Sequence, residues 1–138
     1  MGTHDPAEHA VNAATVLEGC LEAVVSIGPD NRIRYLNPAA ERLWGWSRGE
    51  ATGRNVSMLV PTEMRDDHDR MVERHRKTRE DRIVGTSRDL EMERRDGSRV
   101  WVNLSLVQTE DAEGGIGYTA FVRDVTTRRA ALAAVDEA

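Results

Sequence analysis

The chain has 138 residues, 39% of them hydrophobic and 31% charged, with a formal net charge of −5. That is the size of a single domain with one core, and so acidic a balance argues against nucleic-acid binding, which needs a net basic face. A lone cysteine, Cys20, excludes an internal disulfide and a cysteine-built metal cluster and fits a reducing, cytoplasmic setting. No apolar run approaches the ~18 residues of a membrane span. The polar start "MGTHDPAEHA" is no signal peptide, and there is no internal repeat. No contact of this chain with a membrane is expected.

Residues 1–9 read as a frayed start. "HAVNAATVLEGCLEA" places Val11, Ala14, Leu17 and Leu21 at helical spacing, and a flanking helix is expected over 10–22. "AVVSIG" and "RIRYLN" are short strands around the turn "PDN", a β-hairpin. Asn37 is a good N-cap and Pro38 suits the first position of a short helix that Gly45 ends. Ser47 and Glu50 have capping-box spacing for a second short helix. "NVSMLVP" is an apolar turn, and a longer helix is expected over 62–79. Residues 81–95 are mostly extended, Asp96-Gly97 is a tight turn, and 98–109 alternate with Val102, Leu104 and Leu106 on one face. A further strand covers 116–125 and a helix follows from Thr126, with Val125, Leu132 and Val135 at near-heptad spacing. Segregated antiparallel strands with helices on one face define an α+β fold with a hollow between sheet and helices.

The 62–79 helix carries the chemistry. At ~100° per residue, Met64, His68, Met71, Val72 and His75 share one face, with Asp66, Asp69, Arg70, Glu73 and Lys77 opposite. A histidine on an apolar stripe is more commonly a satisfied boundary residue than a ligand. A neutral imidazole can nonetheless ligate a transition metal. Zinc has no ligand set here, because His68 and His75 are two turns and about 10 Å apart along the helix. Porphyrin-held iron needs only one protein ligand, and either histidine could supply it. No nucleophile–base pair or phosphate-cradling glycine loop points to an enzyme.

"AVVSIGPDNRIRYLNPAAERLWGWSRGEATGRNVSMLVP", "ERRDGSRVWVNLSLV" and "YTAFVRDVT" resemble, in order, the segments of a PAS domain, over roughly residues 10–126. "HDRMVERHRKTREDRIVGTSRDLEMERRDGS" resembles the haem-binding oxygen-sensor PAS domains of the FixL and Dos types. The resemblance implies a PAS fold: a five-stranded antiparallel sheet, helices on one face, and flanking terminal helices. It implies a sensor domain over 23–125, a signalling helix starting at 126–138, and haem b (iron protoporphyrin IX) as cofactor. It carries the iron ligand onto His68 and the distal, oxygen-contacting arginine onto Arg88. Arg74 and Arg82 fall at propionate-side positions, and Ile83, Val84, Leu90, Leu104 and Leu106 on pocket walls. Trp101 matches the tryptophan of the Dos-type strand. Thr86 stands where the Dos type has a methionine ligand, which implies an open sixth position. The physics suits these roles: haem is an apolar plate with two carboxylate arms, and arginine pairs bidentately with carboxylate.

The implied function is a cytoplasmic, non-enzymatic input domain that binds a diatomic gas, oxygen first. It would act as a homodimer through its flanking helices on an effector such as a chemoreceptor, a histidine kinase or a cyclic-dinucleotide enzyme. Two other readings stay open. One is a flavin-binding redox PAS domain; the "NCRFLQ" signature that marks the flavin-reactive cysteine of light-sensing PAS domains is absent. The other is a cofactor-free dimerisation module.

Overall fold

The structure is a computed structural model and describes residues 6–78 and 87–137. In chain order it contains α1 (Pro6–Gly19), β1 (Ala23–Ile27), β2 (Ile33–Leu36), α2 (Pro38–Trp44) and α3 (Arg48–Ala51). Two single 3-10 turns, Val56–Leu59 and Thr62–Met64, lead into α4 (Arg65–Thr78). Then come β3 (Ser87–Glu93), β4 (Arg99–Glu110), β5 (Ile116–Asp124) and α5 (Thr126–Glu137). The strands form one antiparallel sheet in the order β2-β1-β5-β4-β3. This is the expected α+β, five-stranded architecture.

Local chemistry explains most boundaries. Asn37 caps α2 by accepting from the Ala40 N–H, with Pro38 at the first turn and Gly45 closing the helix at φ 82°. Ser47 and Glu50 form both halves of the capping box. Gly97 takes φ 85°, the left-handed conformation that the β3–β4 turn requires and glycine adopts without a Cβ clash. α1 begins earlier than the sequence pattern implied, at Pro6, which suits a first helical turn.

The core lies on one side of the sheet. Ala23 and Val25 of β1, Ile33 and Leu36 of β2, Ala120 and Val122 of β5, Val100 and Val102 of β4, and Met92 of β3 pack in one cluster with Trp44 and Leu59. The other face carries polar pairs such as Ser26 and Thr119, whose hydroxyls lie 2.6 Å apart. Of the near-heptad set at the C-terminus, Val125 is buried in its own domain and only Leu132 and Val135 are exposed. Val125 is fixed there because its N–H donates to the Trp101 carbonyl at 2.9 Å.

Candidate functional site

α4 lies across the core side of the sheet, and polar contacts set its height. At its start, Glu93 of β3 is buried and accepts from the Thr62 hydroxyl (2.9 and 3.0 Å) and from Arg65. Arg65 also donates to the carbonyls of Val60 (3.2 Å) and Met58 (3.3 Å). One turn on, Asp69 accepts from Asn55 (3.0 Å to each oxygen) and from Asn31 (3.1 Å). Those amides, Asn55 first, hold its carboxyl below the ordinary range against the opposing effect of burial. Asn31 sits in the β1–β2 turn at φ 64°, a conformation asparagine tolerates better than most residues. Near the helix end, Arg76 donates to the carbonyls of Ile116 (2.9 Å) and Gly28 (3.1 Å), pairs with Glu73 and lies over the Tyr118 ring.

Between these anchors His68, Val72 and His75 are half-buried. The Nδ1 of His68 is buried and has no hydrogen-bond partner among the described residues. Burial pulls the His68 pKa below its ordinary value, and the neighbouring Asp69 only partly offsets this, so the ring is neutral at pH 7. The Nδ1 of His75 shares a 2.6 Å hydrogen bond with the Tyr118 hydroxyl, and the rings meet edge to face. Its Nε2 is also buried without a partner among the described residues.

The inner stripe differs from the one hydropathy implied. Met64 and Met71 are 47% and 55% exposed, while Arg65 and Arg76 are half-buried and Asp69 is bonded inward. The helix is turned by about half of one ~100° residue step. The anchors decide this, because three hydrogen-bonded charged groups outweigh two thioethers that water tolerates. The basic end of α4 is not uniformly solvated either, since the Arg76 side chain is 9% exposed. Arg74 is exposed, about 120° around the helix from His68.

The sheet positions the remaining residues by register. Arg88 pairs with Leu104, Leu90 with Val102 and Met92 with Val100, and directly paired residues share a face. Arg88, Leu90 and Leu104 therefore stand on the core side. So do Leu106, paired with Ala120, and Tyr118, which His75 contacts. Leu90, Leu104 and Leu106 are only partly buried at the edge of the core, and Arg88 is exposed. Trp101 corrects the expectation. It pairs with Glu91 and alternation turns it to the opposite face, where the Arg129 guanidinium lies 3.7 Å from its ring centroid. It cannot share a pocket wall with Leu104 and Leu106. Arg82, Ile83, Val84 and Thr86 lie outside the described residues.

The sequence reading missed Asp69, Arg76 and Glu93 as anchors. The groups they hold are distant in sequence and leave no local pattern: the Asn31 and Asn55 amides for Asp69, the Ile116 and Gly28 carbonyls for Arg76, and Thr62 and Arg65 for Glu93.

A five-stranded antiparallel sheet in this order with its helices on one face is the layout of a PAS fold, and the chain belongs to the PAS-fold family, a sensor-domain family whose model matches residues 14–125. It is 37% identical over 114 residues to oxygen sensor protein DosP of Escherichia coli, covering 83% of this chain and 14% of that one. It is 36% identical over 124 residues to sensor protein FixL of Bradyrhizobium diazoefficiens, covering 89% and 24%. The chain thus spans about a seventh and about a quarter of these relatives. Among solved structures, a PAS domain from Colwellia psychrerythraea superposes with a TM-score of 0.70 at 21% identity, covering 86% of this chain and 98% of that one. No helix among the described residues is long and apolar enough to cross a membrane.

Proposed function

We propose that this PAS domain is a haem-binding gas sensor with His68 as the protein ligand to iron and oxygen as the first candidate gas. One observation carries the reading: a neutral imidazole whose buried ring nitrogen has no partner among the described residues, on the helix that covers the sheet's inner face. The residues fit the group. Leu90, Leu104 and Leu106 offer an apolar face that the protein's own core only partly covers. Haem ligation asks one side chain for a lone pair, and a ring held neutral by burial has it without first losing a proton. Similarity to relatives that include a named oxygen sensor supports the same assignment.

When bound, the haem would supply an iron able to take up a diatomic gas. The chain's part is to hold the imidazole in place and keep water away. It also presents Arg88 from the core side of β3, as a donor to the polar end of the gas. Arg82 and Arg74 are proposed at the carboxylate arms, Ile83 and Val84 at the walls, and Thr86 beside the gas. Trp101 is not included, because it stands on the other face. The domain would act as an input module, in a homodimer, on a separate effector.

The test is the absorption spectrum of the purified protein before and after hemin titration. A Soret band that His68→Ala abolishes and His75→Ala retains is the expected result. No Soret band in the wild type refutes haem binding, and the reverse pattern in the variants moves the ligand to His75. Yellow protein with flavin absorbance would instead assign a flavin cofactor.

A further inference from the structure

We infer that Asp89 is a latch that ties the first turn of α5 to β3, the strand that carries Arg88, so that the two elements move as one. Asp89 follows Arg88 directly, and strand alternation turns it to the opposite face of the sheet. There its carboxylate accepts from Asn103 Nδ2 of β4 at 2.9 Å, from Arg128 of α5 at 2.6 Å and from Arg129 of α5 at 3.4 Å. Arg129 also covers the Trp101 ring. Two further hydrogen bonds close the joint: the Trp101 N–H donates to the side-chain Thr126 Oγ1 at 3.3 Å, and the Val125 N–H to the Trp101 carbonyl.

Beyond this joint, nothing comparable holds α5 among the described residues. Residues 130–135 are exposed, with Leu132 and Val135 at 59% and 72%. Its direction is therefore set at its base. A helix of 12 residues is about 18 Å long, so a small tilt at the base becomes a displacement of several ångströms at the tip. β3 lies at the edge of the sheet and is paired only with β4. The latch thus ties the Arg88 end of β3 to α5, while Glu93 ties its other end to α4, and exposed ion pairs are weak enough singly to be made and broken in a switch. The Asn103 amide, then Arg128, keep the Asp89 carboxyl below its ordinary pKa, so it is charged at neutral pH. The consequence for signalling rests on the haem reading: a gas that draws on Arg88 pulls the strand whose next residue holds the output helix.

Coupling between two elements is reciprocal, which gives a test that needs no cofactor. Hydrogen–deuterium exchange is followed in the whole chain, with hemin absent. Asp89→Ala should speed exchange several-fold in α5 residues 127–135. The Arg128→Gln/Arg129→Gln double variant, altered only in α5, should speed exchange in β3 residues 87–91. Unfolding midpoints near wild type show that neither effect is a general loosening. If either variant leaves the other element at wild-type exchange, the latch is wrong. A second arm uses hemin-loaded, reduced protein with oxygen as probe. Wild type should change α5 exchange on gas addition, and Asp89→Ala should not. A wild type without a Soret band overturns the haem reading alone, and the cofactor-free arm still decides the latch.

Discussion

Asn37→Ala should be among the most damaging single substitutions in this domain, although it removes only a small polar side chain. Asn37 is 0% exposed. Its Oδ1 accepts from the N–H groups of Val24 and Ala40, both at 2.9 Å, and its Nδ2 donates to the carbonyls of Leu17 and Glu22, both at 3.0 Å. These four bonds use its two donors and both acceptor lone pairs, and they tie the end of α1, the start of β1 and the start of α2 to one point. Losing an N-cap costs about 1 kcal/mol. Leaving the buried Val24 N–H unpaired adds roughly 1–3 kcal/mol. The two carbonyls lie nearer solvent and add less. The expected total is about 3–4 kcal/mol, a large part of the ~5–15 kcal/mol that stabilises a typical domain. At ~3–4 °C per kcal/mol for a chain of this size, the melting temperature should fall by roughly 10 °C or more. Urea unfolding followed by tryptophan fluorescence measures it, with Ser47→Ala as the reference for an exposed cap. If Asn37→Ala costs no more than Ser47→Ala, Asn37 is only a helix cap and the three-way tie is refuted.

Gly117→Ala should destabilise by about 1–3 kcal/mol through overpacking, since its new Cβ would collide with the Ile27 carbonyl oxygen across the β1–β5 ladder and press on Thr109 Oγ1 at 3.1 Å; a neutral result in urea unfolding would mean the strands separate freely there. In cofactor-free protein, His68 titrates lower when folded than its ordinary ~6.5. The native state then binds fewer protons than the unfolded chain, so the His68 contribution is complete above pH ~6.5 and is lost as pH falls from there through the lower folded-state pKa. Unfolding free energies of wild type and His68→Gln from pH 5 to 7.5 should converge toward acid, and a constant difference contradicts the burial argument. Arg88→Ala in hemin-loaded protein should speed oxygen release roughly ten- to hundredfold, the loss of one charge-assisted hydrogen bond, and flash photolysis showing no change removes Arg88 from the gas site.

The elements of the fold were legible wherever the signal was local. Asn37-Pro38, the Ser47–Glu50 pair, Asp96-Gly97 and the alternation of β4 each place a boundary through bonds spanning a few residues. The site was legible only in part. Hydropathy put Met64 and Met71 on the inner stripe, because apolar residues are the only inward signal it can read. The true stripe follows Arg65, Asp69 and Arg76, whose partners outside α4 lie 5 to 48 residues away in sequence. Trp101 shows the opposite failure. The alternation already placed it on the face opposite Leu104 and Leu106, and motif resemblance was allowed to overrule it. Asp89 gave no signal, since its value depends on a helix 39 residues later.

The way α4 is held bears directly on whether its inner face is meant to receive a ligand. The helix contributes no buried residue, yet charged side chains fasten it at its first turn, its second turn and near its end. A helix packed on a protein core is held by its apolar stripe and does not need such fastening. A strut over a hollow does, because its apolar contacts are supplied later by the occupant. Val72 separates the two cases. Removing two methyl groups from a fully packed site costs about 1.6 kcal/mol in transfer alone, and a cavity adds to that. Val72 is half-buried in the cofactor-free structure, so Val72→Ala should cost under about 1 kcal/mol there by urea unfolding. The same substitution should weaken hemin binding measurably in a Soret titration. A cost near 2 kcal/mol without cofactor, and none in hemin affinity, would mean that α4 rests on the protein's own core.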